Sequence, residues 1–311
     1  MFNSTHTLVG LAIARAGMDR WVPRAAVIAA MAANLPDIDI VTALSGTGTY
    51  LKYHRGITHT IVGIPVLALV LTVVICLFSG RFWKTYCLVL ITMTTHPILD
   101  FANTYGLRPF LPWDGRWYYG DLLPIIDPYF DATLLIGILA GKFFKENKRL
   151  MTWLSLGLIL VYLGARVELR SLATSQLETL AAKTPGTEKW GVSPHILNPL
   201  IWEGIIQSPK QMLKVSIDLL DKLMKEISRV NRVSSDQIPK QALESHSAMA
   251  LLPFARFPVM RLQATDFGYR VQIFDFRFYD AGTDTALGTE IILDRSYQIT
   301  KESLSFGKTL E

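Results

Sequence analysis

Apolar residues run through the first half of this chain in blocks too long for an ordinary amphipathic helix. The stretch 61–80 holds twenty residues without a charge, and about 20 apolar residues cross ~30 Å of hydrocarbon. Residues 86–102 are nearly as apolar but carry His96 and Asp100 toward their end. A third block, 122–141, is interrupted in its first half by Asp127-Pro128 and Asp131, and a fourth, 152–165, continues toward Leu169. Ahead of these, 7–16 and 23–33 read as two short helices joined around Gly17-Met18-Asp19-Arg20. Each is too short to cross alone, which predicts a hairpin packed within the bundle.

From Ser171 onward the pattern is that of a soluble domain. Residues 184–199 form a linker with Pro and Gly, and 219–230 have helical apolar spacing. Residues 201–207 and 211–218 make a strand hairpin about Ser208-Pro209-Lys210, unless Pro209 starts a helix there. Residues 259–265 and 269–278 are β-branched and aromatic and turn at Asp266-Phe267-Gly268, with a further strand at 290–293. The predicted fold is mainly α: a membrane helical bundle over 1–170, followed by a small soluble α+β domain with antiparallel strands over 171–311.

Composition sharpens this picture. Half of the 311 residues are hydrophobic and 18% are charged, against about 25% charged in a typical soluble domain. The net charge of +5 is modest, and no basic patch interleaves with aromatics, so nucleic acid is not an expected partner. Instead the cations cluster where they would set topology: Lys142, Lys145, Lys148 and Arg149; Arg81 and Lys84; Arg15, Arg20 and Arg24. Counting crossings puts all three groups on one face, the cytoplasmic one by the positive-inside rule. The outer face then receives His6, 34–59, 103–121 and everything after Arg166. Cys76 and Cys87 lie in apolar stretches and imply no disulfide framework. Met1 to Thr7 carries no Lys or Arg, so uncleaved spans rather than a cleaved signal are expected to hold the protein in the membrane.

The same outer regions hold the chemistry. In His96-Pro-Ile-Leu-Asp100 the i, i+4 spacing stacks imidazole and carboxylate on one helical face, about 40° apart, and these are ligand types that zinc accepts. In His54-Arg55-Gly56-Ile57-Thr58-His59 the histidines would stand about 140° apart on a helix. A loop-to-helix transition is expected instead, with Gly56 at the bend and Thr58 as N-cap. In Pro36-Asp37-Ile38-Asp39 an extended backbone would point both carboxylates to one side, to meet one metal, bridge two, or orient a ligating histidine. His6 stands at a helix start, and Asp121 and Asp127 add carboxylates at the mouth of the third block. A carboxylate at mid-span costs about 2.5–3.5 kcal/mol, so these acids call for compensating cations. Alone, a histidine in an apolar helix is more often a core residue than a ligand, and Asp37 or Asp39 alone reads equally as a cap. Asp131 reads as structural, and His195 and His246 lack partners in the sequence.

Taken in order, Thr5-His6, Pro36-Asp37-Ile38-Asp39, His54 to His59, His96-x3-Asp100, Thr104-Tyr105-Gly106 and Ile126-Asp127-Pro128 resemble the bacterial inner-membrane metal-dependent hydrolases of the LexA-regulated type. The resemblance spans roughly residues 4–130, and 252–278 looks like that family's C-terminal strand pair. It implies a distant similarity to zinc phospholipase C-like enzymes and a hydrolytic site of one or two divalent ions, zinc first among them.

The expected function is a membrane-bound metal-dependent hydrolase that cleaves a phosphoester in a lipid or lipid-linked substrate, on the periplasmic side of a multi-pass inner-membrane protein. His59, His96, Asp100 and Asp37 are the leading candidate ligands, followed by His6, His54 and Asp39. Asp121 or Asp127 would serve as base or orienter. Arg55, Arg108 and Arg116 would clamp phosphate. Trp113, Trp117, Tyr118 and Tyr119 suit headgroup depth, as contacts for a lipid partner or as a plain interface belt. The rival is a non-catalytic metal-stabilised scaffold whose soluble domain binds a partner. A zinc metalloprotease lacks its His-Glu-x-x-His here, and an inverted-repeat transporter lacks room in so few spans.

Overall fold

The structure is a computed structural model that describes residues 1–280 and 285–309. Its helices are α1 (Asn3–Arg15), α2 (Ala25–Asn34), α3 (Thr47–Tyr53), α4 (Gly63–Ser79), α5 (Phe82–Ala102), α6 (Pro128–Phe143), α7 (Lys148–Lys183), α8 (Lys240–Leu243) and α9 (His246–Leu251). The strands are β1 (Lys189–Pro194), β2 (Ile201–Gln207), β3 (Gln211–Asp218), β4 (Leu223–Asn231), β5 (Pro258–Thr265), β6 (Gly268–Asp275), β7 (Thr285–Asp294) and β8 (Ile299–Thr309). The chain divides into two compact units. The first comprises Met1–Ile40, Arg55–Ser171 and Ser193–Leu200, and the second comprises Val41–His54, Leu172–Val192 and Ile201–Glu311.

The first unit is helical. Small residues let α1 and α2 approach closely: a Cβ on Gly10 would stand 2.7 Å from the Ala29 carbonyl oxygen and 3.1 Å from Ala33 Cβ. Such small-residue faces are how helices associate where lipid removes the hydrophobic drive between them. One core joins Ala14, Ala25, Ala29 and Ala32 to Ile64, Ala68, Leu88 and Met93. A second packs Val9 and Ala12 against Leu99, Phe130, Leu134 and Ile159. Asp127 caps α6 by accepting from the backbone N–H groups of Tyr129 and Phe130 at 3.1 and 3.0 Å, with Pro128 in the first turn.

The basic groups of this unit are tied together at one end. Lys148 Nζ lies 2.8 Å from Asp19, and Arg149 reaches the same carboxylate. Arg81 donates to the Trp21 carbonyl and Trp153 to the Ala16 carbonyl. The α1–α2, α4–α5 and α6–α7 turns therefore share an end, as the positive-inside count expects.

The spans differ in detail from the sequence reading. Ala25–Ser45, where α2 continues into a 3₁₀ helix over Leu35–Ser45, and Lys145–Lys183 are long and apolar enough to cross a membrane. The pair Thr47–His59 and Gly63–Leu77, bent by 78°, makes a third candidate if it is one broken span. The expectation that 23–33 is too short to cross missed that 3₁₀ extension. Conversely, α4 and α6 have 17 and 16 residues, under the roughly 20 that a perpendicular crossing needs.

The second unit carries two four-stranded sheets, in the order β1-β2-β3-β4 and β5-β6-β7-β8. The registered pairs from β2 to β4 and from β5 to β8 are antiparallel. Ile205, Met212 and Val230 of the first sheet share a core with Val259, Phe274 and Ala286 of the second. Two expectations are corrected here. Residues 219–230 form a tight turn and β4 rather than a helix, because pairing with β3 satisfies their backbone. The proposed 184–199 linker contains β1.

Candidate metal centre

Four donors converge inside the first unit. Asp37 arrives on the 3₁₀ stretch after α2, His59 closes a 3₁₀ turn over Ile57–His59 just before α4, and His96 and Asp100 stack one turn apart near the end of α5. His59 Nε2 and His96 Nε2 are 3.1 Å apart. Asp37 Oδ1 stands 3.4 Å from each of them, and Asp100 Oδ2 stands 3.5 Å from each. All four donors lie within 4.8 Å of one another. Ligands about 2.0–2.1 Å from a tetrahedral zinc are about 3.3–3.4 Å from each other, so these separations match the edges of such a site.

The hydrogen bonds of the two imidazoles fix which nitrogens face the centre. His96 Nδ1 is 2.6 Å from the Ala33 carbonyl oxygen. That oxygen only accepts, so Nδ1 carries the hydrogen and Nε2 of the neutral ring presents a lone pair. Around His59, the Thr58 hydroxyl donates to Asp39 Oδ2 at 3.3 Å and lies 3.0 Å from His59 Nδ1. The hydroxyl proton being used, Nδ1–H donates to Thr58 and the His59 lone pair also sits at Nε2. Two lone pairs and two carboxylate oxygens then face one point, an arrangement that only a cation or added protons can satisfy. Such outer hydrogen bonds are the usual means of aiming ligating imidazoles.

Backbone geometry explains the division of labour between Asp37 and Asp39. An extended backbone would have turned both to one side. In the observed 3₁₀ helix successive residues are about 120° apart, so positions i and i+2 diverge. Asp37 therefore joins the convergent donors. Asp39 is buried, accepts from the Arg55 backbone N–H at 3.0 Å, and has Oδ2 3.7 Å from His59 Nδ1.

Arg55 is an organiser of the centre. It is buried and donates to Asp100 Oδ1 at 3.0 Å, Asn103 Oδ1 at 3.2 Å and the Gly106 carbonyl at 2.9 Å. These bonds hold it at φ +53°, a left-handed conformation costing of order 1 kcal/mol for a side chain with Cβ. They also take up the guanidinium that was expected to clamp phosphate. Gly106 itself has φ +75°, and a Cβ there would enter the Tyr119 ring at 2.5 Å, which accounts for the glycine of Thr104-Tyr105-Gly106. Asn103 and the Ala33 carbonyl were invisible to sequence reasoning. A backbone acceptor has no residue signature, and Asn103 looked like an ordinary loop residue.

The remaining candidates fall elsewhere. His6 is buried, its ring stacked on His96 at a centroid distance of 3.8 Å. Neither His6 nitrogen has a hydrogen-bond partner among the described residues, Nε2 being 3.6 Å from Asp100 Oδ1. The Met1 amino group also meets that oxygen. His54 ends α3 with its ring stacked on Tyr50, and it is not one of the four. Asp121 is buried at φ +51° and lies outside the convergent group. Asp127, expected as base or orienter, is committed to capping α6 and accepts from the Tyr162 hydroxyl at 2.8 Å. Thr58 caps no helix, since its hydroxyl serves Asp39 and His59. Arg116 is exposed and paired with Asp114, and Arg108 lies over the Trp117 ring at 4.8 Å. His195 accepts from the backbone of Leu197 and Asn198 in a local turn.

Comparison with known proteins bears on residues 1–172, which match the family model described as YdjM inner membrane protein. That span is more than half of the chain and contains the whole convergent site. The chain belongs to the YdjM inner membrane protein family. One relative, "Uncharacterized protein YfhP" of Bacillus subtilis (strain 168), is 28% identical over 171 residues, which is 52% of this chain and 52% of the relative. The chain thus spans about half the length of the relative it matches. No solved structure matches it. The match supports a bacterial inner-membrane assignment and brings no similarity to phospholipase C-like enzymes. Within this YdjM family member, the first unit is the part that the family model describes.

Proposed function

We propose that this YdjM family protein is a membrane-bound metal-dependent hydrolase acting on a phosphoester in a lipid or lipid-linked substrate. The observation that carries the proposal is the set of four acceptor atoms, five of whose six separations are 3.1–3.5 Å, backed by hydrogen bonds that aim both imidazoles. The donor set of two imidazoles and two carboxylates suits zinc. The four donors converge on one point, where they would hold one ion. When bound, a divalent cation supplies Lewis acidity and an acidified water near neutral pH.

The protein's own residues set the rest. Asp39 and Thr58 hold the His59 ring, the Ala33 carbonyl holds His96, and Arg55 with Asn103 holds Asp100. Asp37 is the donor that solvent reaches, with 19% of its side chain exposed against 0–1% for the other three. Its carboxylate oxygen not engaged as a donor is the acceptor for the proton that an entering water loses. Solvent access at Asp37 distinguishes this arrangement from a sealed structural site. In our reading the protein is multi-pass with the centre toward the periplasm, because the linked basic turns lie at the other end of the helices.

A second reading has its own support: four protein donors complete a tetrahedron, as in structural zinc sites. Elemental analysis of the purified full chain, with a panel of water-soluble and lipid phosphoesters, separates the two. The hydrolase reading expects about one metal per chain and turnover that His96→Ala removes along with the metal. Stoichiometric metal without turnover on any phosphoester would establish the scaffold instead.

A further inference from the structure

A cavity of about 380 Å³ opens beside the centre, its wall including His59, Thr60, Ile61, Thr94, Ile98 and Pro109. Its volume is at the lower end of the range of small-molecule sites. What it lacks is as informative as its size. The Thr60 hydroxyl donates to the Ile57 carbonyl and accepts from the Gly63 N–H, and the Thr94 hydroxyl donates to the Leu90 carbonyl. Both hydroxyls are thereby committed to backbone, and among the described residues no charged side chain lines the wall apart from His59, whose ring also belongs to the centre. A sugar, nucleotide or peptide would lose its hydration there without replacement, at a cost of about 1–3 kcal/mol per polar group. A hydrocarbon chain loses nothing. Ile61 and Ile98, 58% and 60% exposed, sit at the rim, and the Ile61 N–H donates to the Pro109 carbonyl at 3.0 Å, tying the 107–109 part of the wall to the start of α4.

We infer that this cavity is the chain-binding subsite of the enzyme: it seats one hydrocarbon chain of the lipid phosphoester and so presents the ester bond at the edge marked by His59. This rests on the hydrolase reading above. It assigns the substrate as one whose hydrocarbon chain begins close to the phosphoester and is drawn sideways out of the lipid.

The test uses the metal-loaded full chain in detergent and hexadecyl phosphate carrying a diazirine near its chain end, with labelled peptides mapped by mass spectrometry. The expected labels fall on 61–65, 94–101 and 107–109. Ile98→Trp and Ile61→Trp, both at exposed rim positions that tolerate bulk, lower that labelling by about tenfold, the effect of leaving some two methylenes unburied. Val161→Trp, on an exposed face of α7 away from the cavity, leaves it in place. Labels spread evenly over the lipid-facing helices, or cavity labelling indifferent to both rim tryptophans, would overturn the inference. Hydrolysis of the panel of water-soluble and lipid phosphoesters, measured on the same preparation, reports the hydrolase reading separately. Turnover without cavity labelling removes this inference alone, whereas cavity labelling without turnover upholds a chain site and removes the hydrolase.

Discussion

Asp37 and Asp39 stand two positions apart and do different work, and the difference can be measured. Asp39 meets the centre through the Thr58 hydroxyl, the His59 ring and the Arg55 backbone N–H. Asp39→Asn should therefore leave a metal site in place but weaken it by about 10–100-fold, as loss of an orienting partner does. His59→Ala removes a donor outright. Chelator competition reads both, and an Asp39→Asn affinity equal to wild type would show that the orienting chain is idle. At this scale the sequence was informative about residue type and spacing, since imidazole and carboxylate at i, i+4 must share a helical face. It was silent about which partner each ring nitrogen meets. Arg55 shows the limit: nothing in His54-Arg55-Gly56 indicates that its guanidinium turns inward to Asp100.

Elements carry the donors into register, and α1 packs against α2 at close range. Gly10→Val would drive a side chain into the Ala29 carbonyl, where even a Cβ has only 2.7 Å. The resulting shift of α2 would displace the Ala33 carbonyl that holds His96. Metal affinity should fall although no donor is altered, and unchanged affinity in the same chelator assay would argue against this coupling. Elements were legible where periodicity had one meaning. Residues 259–265 and most of 269–278 pair as strands, as their β-branched and aromatic composition suggested. Residues 219–230 misled because Leu219, Leu223, Ile227 and Val230 also fit a helix, and only pairing with β3 decides between them. Likewise α7 runs on past residue 170, since no proline interrupts it before Pro185.

The second unit offers a pH test at the same scale. Burial pushes the Glu302 carboxyl up, but the Ser247 backbone N–H and hydroxyl, at 3.0 and 2.7 Å, outweigh it and hold it below the ordinary glutamate value. A lowered folded pKa means stability that is present above the unfolded value and lost as pH falls through the folded one. Glu302→Gln should flatten the acid limb of the unfolding curve of this unit, below about pH 4.3. An acid limb as steep as wild type would exclude the contact.

At the scale of the whole molecule, topology is the claim most open to direct contradiction. The shared end of the basic turns predicts that a reporter inserted at Glu146, between α6 and α7, reads as cytoplasmic, and periplasmic reporting there would invert the assignment. Composition made the membrane legible, while span lengths were not, because the 3₁₀ run after α2 extends one helix and the Ile57–His59 turn bends another.

All of this depends on a cation joining Asp37, His59, His96 and Asp100. Metal-edge X-ray absorption on the purified full chain tests it most directly. We expect two imidazole nitrogens and two carboxylate oxygens at about 2.0–2.2 Å, with the imidazole contribution lost from His96→Ala. A sulfur-rich or all-water shell, or a spectrum unmoved by that substitution, would contradict the account.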